Sequence, residues 1–235
     1  MSGIVGSYFN TRGSGIVAKL GTDGQVFTST GAGLSQGFEA AAAGGSWTKI
    51  KTITLDGSET TSVTFINGTD SVVLDDTYST YKVITNGISM YDSTNGNYMR
   101  CQVYDGGTDG ASETLITGSE YKWSNWFTDS NGSSAVNLGN NVAYMQVMDA
   151  SQLHVVTGQG VAFEFMLYNS EGVAADNCFK MMSWQGQSIP GAGTYSHNWS
   201  GGGLWASASN KVRGLKFFPA AGGWKEGRFI LYGIV

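Results

Sequence analysis

In "GVAFEFMLYNSEG", residues 160–172, Val161, Phe163, Phe165 and Leu167 take every second place, with Glu164 among the residues between them. Only an extended strand turns alternate side chains to the same side, so this run predicts a strand with one buried face. Gly160 and an Asn-Ser-Glu-Gly turn bound it. "TTSVTFI" repeats the pattern with Val63 and Phe65, and "NYMRCQVY" places Met99, Cys101 and Val103 opposite Arg100 and Gln102. Weaker runs of the same kind cover 47–55, 79–88, 119–127, 142–149, 178–184, 211–218 and 227–234. Turn signals separate them at short intervals: "NGTD", "TNGI", "STNGN", "YDGGTDG", "DSNGSS", "LGNN" and "AAGG". Many short strands, with no helical pattern ten residues long, predict an all-β, antiparallel β-sandwich of jelly-roll-like type. The longest interval without a pattern is 186–210, "GQSIPGAGTYSHNWSGGGLWASASN", read as a loop.

The alternation begins only after residue 45. A chain of 235 residues accommodates one large sandwich with an appendage. The predicted organisation is therefore an N-terminal arm and linker, 1–45, followed by the sandwich, 46–235. Residues 2–33 read as neither helix nor strand, and "FEAAAA" has room for one helical turn. Within the arm, Ile4, Val5, Tyr8, Phe9, Ile16, Val17 and Leu20 would each gain roughly 1.5 kcal/mol or more on burial. The glycines among them raise the entropy cost of fixing this segment alone. We therefore expect another molecule to cover it, and these residues, with Arg12, are the candidate docking set.

Composition narrows the partners. Charged residues are 13% of the chain and the net charge is −5, so no basic surface exists to neutralise nucleic-acid phosphates, and nucleic-acid binding is not expected. No run of about 18 apolar residues is present to enter a membrane. Residues 1–10 carry neither a basic nor an apolar leader segment, so export by a recognisable signal is not expected. Cys101 and Cys178 fall in strand-like stretches and are expected to be buried free thiols.

His154 and His197 are the only histidines. Neither has a second histidine or a cysteine at ligand spacing, so neither a metal nor any other cofactor is expected. Asp75 with Asp76, and Asp105 with Asp109, lie in turn-like sequence, where an aspartate bonding its own backbone explains them better than paired acid and base. "DGGTDGASE" lacks the acidic and glycine positions of a calcium loop. Among the tryptophans, Trp123, Trp126 and Trp184 are expected in the core. Trp199 and Trp205 flank the glycines 201–203, where a flexible loop would present them to sugar rings or to a subunit contact, or they would cap the sandwich.

Three stretches resemble the jelly-roll fibre and head-decoration proteins of tailed bacteriophages. "LGTDGQVFTSTGAG", Leu20 to Gly33, is similar to a linker near the start of phage fibre proteins. Val72 to Gly107 resembles their early strand pair, with an Asp-x-x-Tyr-x-x-Tyr element at Asp75, Tyr78 and Tyr81. "VRGLKFFPAAGGWKEGRFILYGIV" resembles their closing hairpin, ending Leu-Tyr-Gly-Ile. The opening "SGIVGSYFNTRGSG" is similar to N-termini of phages of marine bacteria, where the resemblance implies a docking tag. It further implies a non-enzymatic virion structural protein, homotrimeric, assembled in the cytoplasm of a host bacterium. Its arm would dock on a capsid or tail protein and its sandwich would project as a head decoration or short knob. The alternative is a receptor-binding tail-fibre tip that reads a host-surface glycan through Trp199 and Trp205.

Overall fold

The computed structural model describes residues 25–28, 37–40, 47–75, 77–90, 98–106, 113–148, 160–168, 179–189, 196–206 and 210–235. The chain divides into two compact units, Met1–Ser46 and Trp47–Val235. In the first, β1 (Gln25–Thr28) pairs antiparallel with β2 (Gly37–Ala40), with Phe27 opposite Phe38. Both strands correct the sequence reading. The stretch 2–33 does contain extended sheet structure, and Phe38 to Ala40 lies in a strand where a helical turn was expected.

The second unit is the antiparallel sandwich that the period-two runs predicted. Its larger sheet has eight strands: β3 (Trp47–Thr60), β15 (Trp224–Ile234), β5 (Thr80–Met90), β11 (Val161–Tyr168), β12 (Lys180–Ser188), β13 (His197–Trp205), β8 (Tyr121–Asp129) and β9 (Ser134–Val142), in that order across the sheet. The smaller runs β10 (Met145–Gln146), β6 (Met99–Asp105), β14 (Val212–Pro219) and β4 (Val63–Ile66), with β7 (Thr114–Leu115) beside β6. The chain passes repeatedly between the sheets. The resembling segments therefore fold differently from expectation: β14 and β15 lie in different sheets and form no hairpin, and neither do β5 and β6. The run 142–149 likewise resolves into the end of β9 and the two-residue β10.

Phenylalanines join the sheets. Phe217 of β14 lies 5.8 Å from Phe163, 5.3 Å from Phe165 and 5.9 Å from Phe229, measured between ring centres. All four are buried, and edge-to-face geometry adds to the gain from area alone. Two tyrosine hydroxyls close loops at the margins of this core. The Tyr81 hydroxyl donates to the Asp75 carbonyl at 2.7 Å and accepts from the Asp75 N–H at 2.9 Å, which gives the Asp-x-x-Tyr-x-x-Tyr element a structural purpose. The Tyr121 hydroxyl likewise donates to the Ile116 carbonyl at 3.0 Å and accepts from the Val103 N–H at 2.9 Å. Burial pushes its pKa far above the ordinary tyrosine value.

"TNGI" proves to be a bulge inside β5. Between Val161 and Glu164 of β11, β5 accommodates one extra residue. Gly87 takes a positive φ of 64° there, and the Thr85 hydroxyl accepts the Phe163 N–H at 2.9 Å.

Cys101 is a buried free thiol, as expected, whereas Cys178 lies outside the described residues. Burial raises the Cys101 pKa well above the thiol's usual value, and the thiolate is the reactive form. We predict that excess iodoacetamide at pH 8 leaves Cys101 unmodified in the native protein and alkylates it only after unfolding. Peptide mass mapping reads this separately from Cys178. Alkylation in native buffer at the rate seen in denaturant would mean that the core opens.

Candidate ligand-binding face

The glycine run 201–203 is not loop. Gly201, Gly202 and Gly203 sit in β13, paired throughout with β12 on one side and β8 on the other. Trp199 and Trp205 belong to the same strand and are only 4% and 1% exposed. Neither is presented to a ligand by a mobile segment. The Trp205 indole N–H donates to the Glu120 carboxylate at 2.8 Å.

Glycine recurs here because indoles from neighbouring strands need the room. Trp184 stands opposite Gly201, Trp199 opposite Gly186, and Trp123 opposite both Gly203 and Gly139. A Cβ on Gly201 would fall 2.5 Å from Trp184 Nε1, and one on Gly186 would fall 2.6 Å from Trp199 Cζ2. One on Gly139 would overlap the Trp123 ring outright. Each ring thus lies over the bare backbone of its neighbour.

That outer surface was not anticipated. Trp123 and Trp126 are three residues apart, so in a strand they face opposite sides. Trp123 turns inward, while Trp126 is 48% exposed on the outer face, which corrects its assignment to the core. The odd spacing was the signal in the sequence that could have revealed it.

Register places Glu164, Gln185, Ser200, Trp126 and Val136 in one row across five adjacent strands, β11, β12, β13, β8 and β9. Gln187 and Asn198 stand two residues along in the same strands. A depression of about 550 Å³ lies over the first four of these residues, with Trp126 at one end and Glu164, beside Ile84 of β5, at the other. Its volume is that of a small-ligand site.

Glu164 is held from two sides. Its carboxylate accepts from Gln185 Nε2 at 2.5 Å and pairs with Lys82 Nζ at 2.5 Å, while that ammonium lies 4.3 Å from the Trp47 ring centre. The hydrogen bond from Lys82, joined by that from Gln185, keeps the Glu164 carboxyl below its ordinary pKa. The polar end of the trough is therefore ionised, paired and fixed in orientation.

Other carboxylates serve the architecture. Asp56 accepts the Ser58 N–H, Asp75 the Thr77 N–H, and Asp129 the N–H groups of Asn131 and Ser133, all within 3.0 Å. Asp105 lies at the end of β6 and accepts from Asn210 at 2.7 Å. Among the described residues no group of three or more His, Cys, Asp or Glu side chains could hold a metal ion. Asp76, Asp109 and His154 lie outside the described residues, as do the arm candidates Ile4, Val5, Tyr8, Phe9, Arg12, Ile16, Val17 and Leu20.

The two edges of the large sheet differ. β3 carries Lys49, Lys51, Asp56 and Glu59, the charges that commonly keep an open edge from pairing. β9 carries none, and its Val136 and Leu138 are 62% and 75% exposed. An uncharged edge of nine residues with two exposed aliphatic side chains is chemically ready for contact with another subunit.

Comparison of the chain with protein-family models, curated proteins and solved structures returned no match.

Proposed function

We propose that this chain is a non-enzymatic structural protein of a tailed-bacteriophage virion, docked by its N-terminal arm on a capsid or tail protein and displaying the sandwich outward, as a homotrimer. The resembling stretches at both ends and in the middle of the chain suggest the class. The observation that carries the reading is the cross-sheet core around Phe217, whose four phenylalanine rings all come from strands of the Trp47–Val235 unit. A body with such a core is expected to fold without residues 2–33, which the docking reading requires. The unguarded β9 edge supports a subunit contact, and the turn-bound aspartates support a scaffold in preference to a catalyst. The alternative, a receptor-binding tail tip, is favoured by the half-exposed indole and polar row on the outer face.

Deleting residues 2–33 tests the docking. The truncated protein is expected to remain folded, with the circular dichroism and melting of the full chain, and to be lost from purified particles by at least tenfold. Incorporation at the full-length level would refute arm docking. Copy number, measured by quantitative mass spectrometry against the major capsid protein, then separates the two readings: hundreds of copies per particle mark a head decoration, and a dozen or two mark a tail component.

A further inference from the structure

We infer that the trough on the outer face of the eight-stranded sheet is a binding site for a neutral oligosaccharide, with Trp126 as its stacking platform. The site lies wholly within one chain. Sugar binding there is expected whether that chain decorates a head or tips a tail, so its failure would leave virion docking untouched.

Three features point to sugar. First, Trp126 is 48% exposed on a strand paired on both sides, and its indole offers a flat, largely apolar surface of the kind that suits the C–H face of a pyranose. Second, from Trp126 towards β11 the row is polar: Ser200 beside Trp126, then Gln185 and Glu164, with Gln187 and Asn198 next to them. The carboxamides donate to and accept from vicinal hydroxyls, the carboxylate accepts from them, and serine leaves space for the ring. Third, the far end is preorganised. Glu164 is fixed between Lys82 and Gln185, so ordering it on binding costs little.

Length and charge narrow the ligand. From Glu164 to Trp126 the row crosses three strand spacings, roughly 14 Å at about 4.8 Å each, which fits a short oligosaccharide lying across the strands better than a single sugar. The paired carboxylate and ammonium cancel each other and the chain's net charge is −5, so a neutral glycan is favoured over an acidic one.

The test titrates the full-length protein with soluble four- to six-residue oligosaccharides of glucose, galactose, mannose and N-acetylglucosamine, following tryptophan fluorescence and calorimetry. At least one series is expected to bind. Trp126→Ala should weaken that binding at least tenfold and Gln187→Ala severalfold, whereas Leu138→Ala, on the edge strand outside the trough, should change it less than twofold. Unchanged melting of each variant confirms that the sandwich is intact. Absence of binding by every series at millimolar concentration overturns the inference, and so does binding that survives Trp126→Ala. If Trp126→Ala instead dissociates an oligomer in sedimentation velocity and no sugar binds, the indole is a subunit contact and the inference is equally overturned.

Discussion

Replacing Phe217 with alanine is expected to destabilise the sandwich by about 3–5 kcal/mol, the range for deleting a buried aromatic ring. Phe217 is fully buried, and its ring meets Phe163, Phe165 and Phe229, which belong to the opposite sheet. Truncation removes the one ring that touches all three, and the flanking strands hold the space open. β14 is fixed by β4 on one side and β6 on the other, so it cannot collapse inward to fill the void. For a unit of this size the loss corresponds to a melting temperature lower by roughly 6–20 °C. Phe218, the next residue, points the other way, where it meets Tyr144 edge-on at 6.4 Å and remains partly exposed. Phe218→Ala should cost about 1 kcal/mol. Urea denaturation of both variants measures the difference. Equal losses would mean that the sheets are not held together through Phe217.

The same contrast explains what could be read from the residues alone. β11 was legible because each inward residue, Val161, Phe163, Phe165 and Leu167, brings its own apolar atoms to the core. In β13 the inward places at 201 and 203 are glycines, and the atoms that fill them come from Trp184 and Trp123 on adjacent strands. Hydropathy along one strand cannot register a side chain donated by the next, so the strand passed for a loop. β9 was hidden for a related reason: its inward residues include Asn137 and Gly139, and its larger apolar ones, Val136 and Leu138, face out. The bulge at Gly87 imitated a turn because a positive φ attracts the same Asn-Gly pair in both settings. The binding face was obscured by one assumption, that every tryptophan on a strand is core. Trp123 and Trp126 together break that rule, since a strand cannot turn residues three apart to the same side.

Gly201→Val should be among the most damaging substitutions that leave every existing side chain in place. Valine is ordinarily welcome in a strand, and glycine in a strand interior is ordinarily a weakness. Here the order reverses. The first carbon of any side chain at 201 would lie 2.5 Å from Trp184 Nε1 and 2.6 Å from the Ser124 carbonyl oxygen. The backbone oxygen cannot retreat, because β8 is paired on both sides. The new carbon is therefore pushed off that oxygen towards the indole, which must move, breaking its hydrogen bond to Asn125 Oδ1 at 3.1 Å and its stack on Phe165 at 6.1 Å. Asn125 is itself 1% exposed, so its amide loses a partner where water is excluded. Overpacking of about 1–3 kcal/mol and an unsatisfied buried amide of about 1–3 kcal/mol together predict a loss of roughly 2–6 kcal/mol. Gly202 is the control. It faces outward, and the nearest atom to its added carbon is the Met182 carbonyl oxygen at 3.3 Å, so Gly202→Val should cost about 1 kcal/mol or less. Combining Gly201→Val with Trp184→Ala should cost less than the two single losses added, because the valine then enters the space the indole vacates. If Gly201→Val and Gly202→Val instead melt together, the glycines of β13 serve the flexibility of the backbone and not the seating of the indoles.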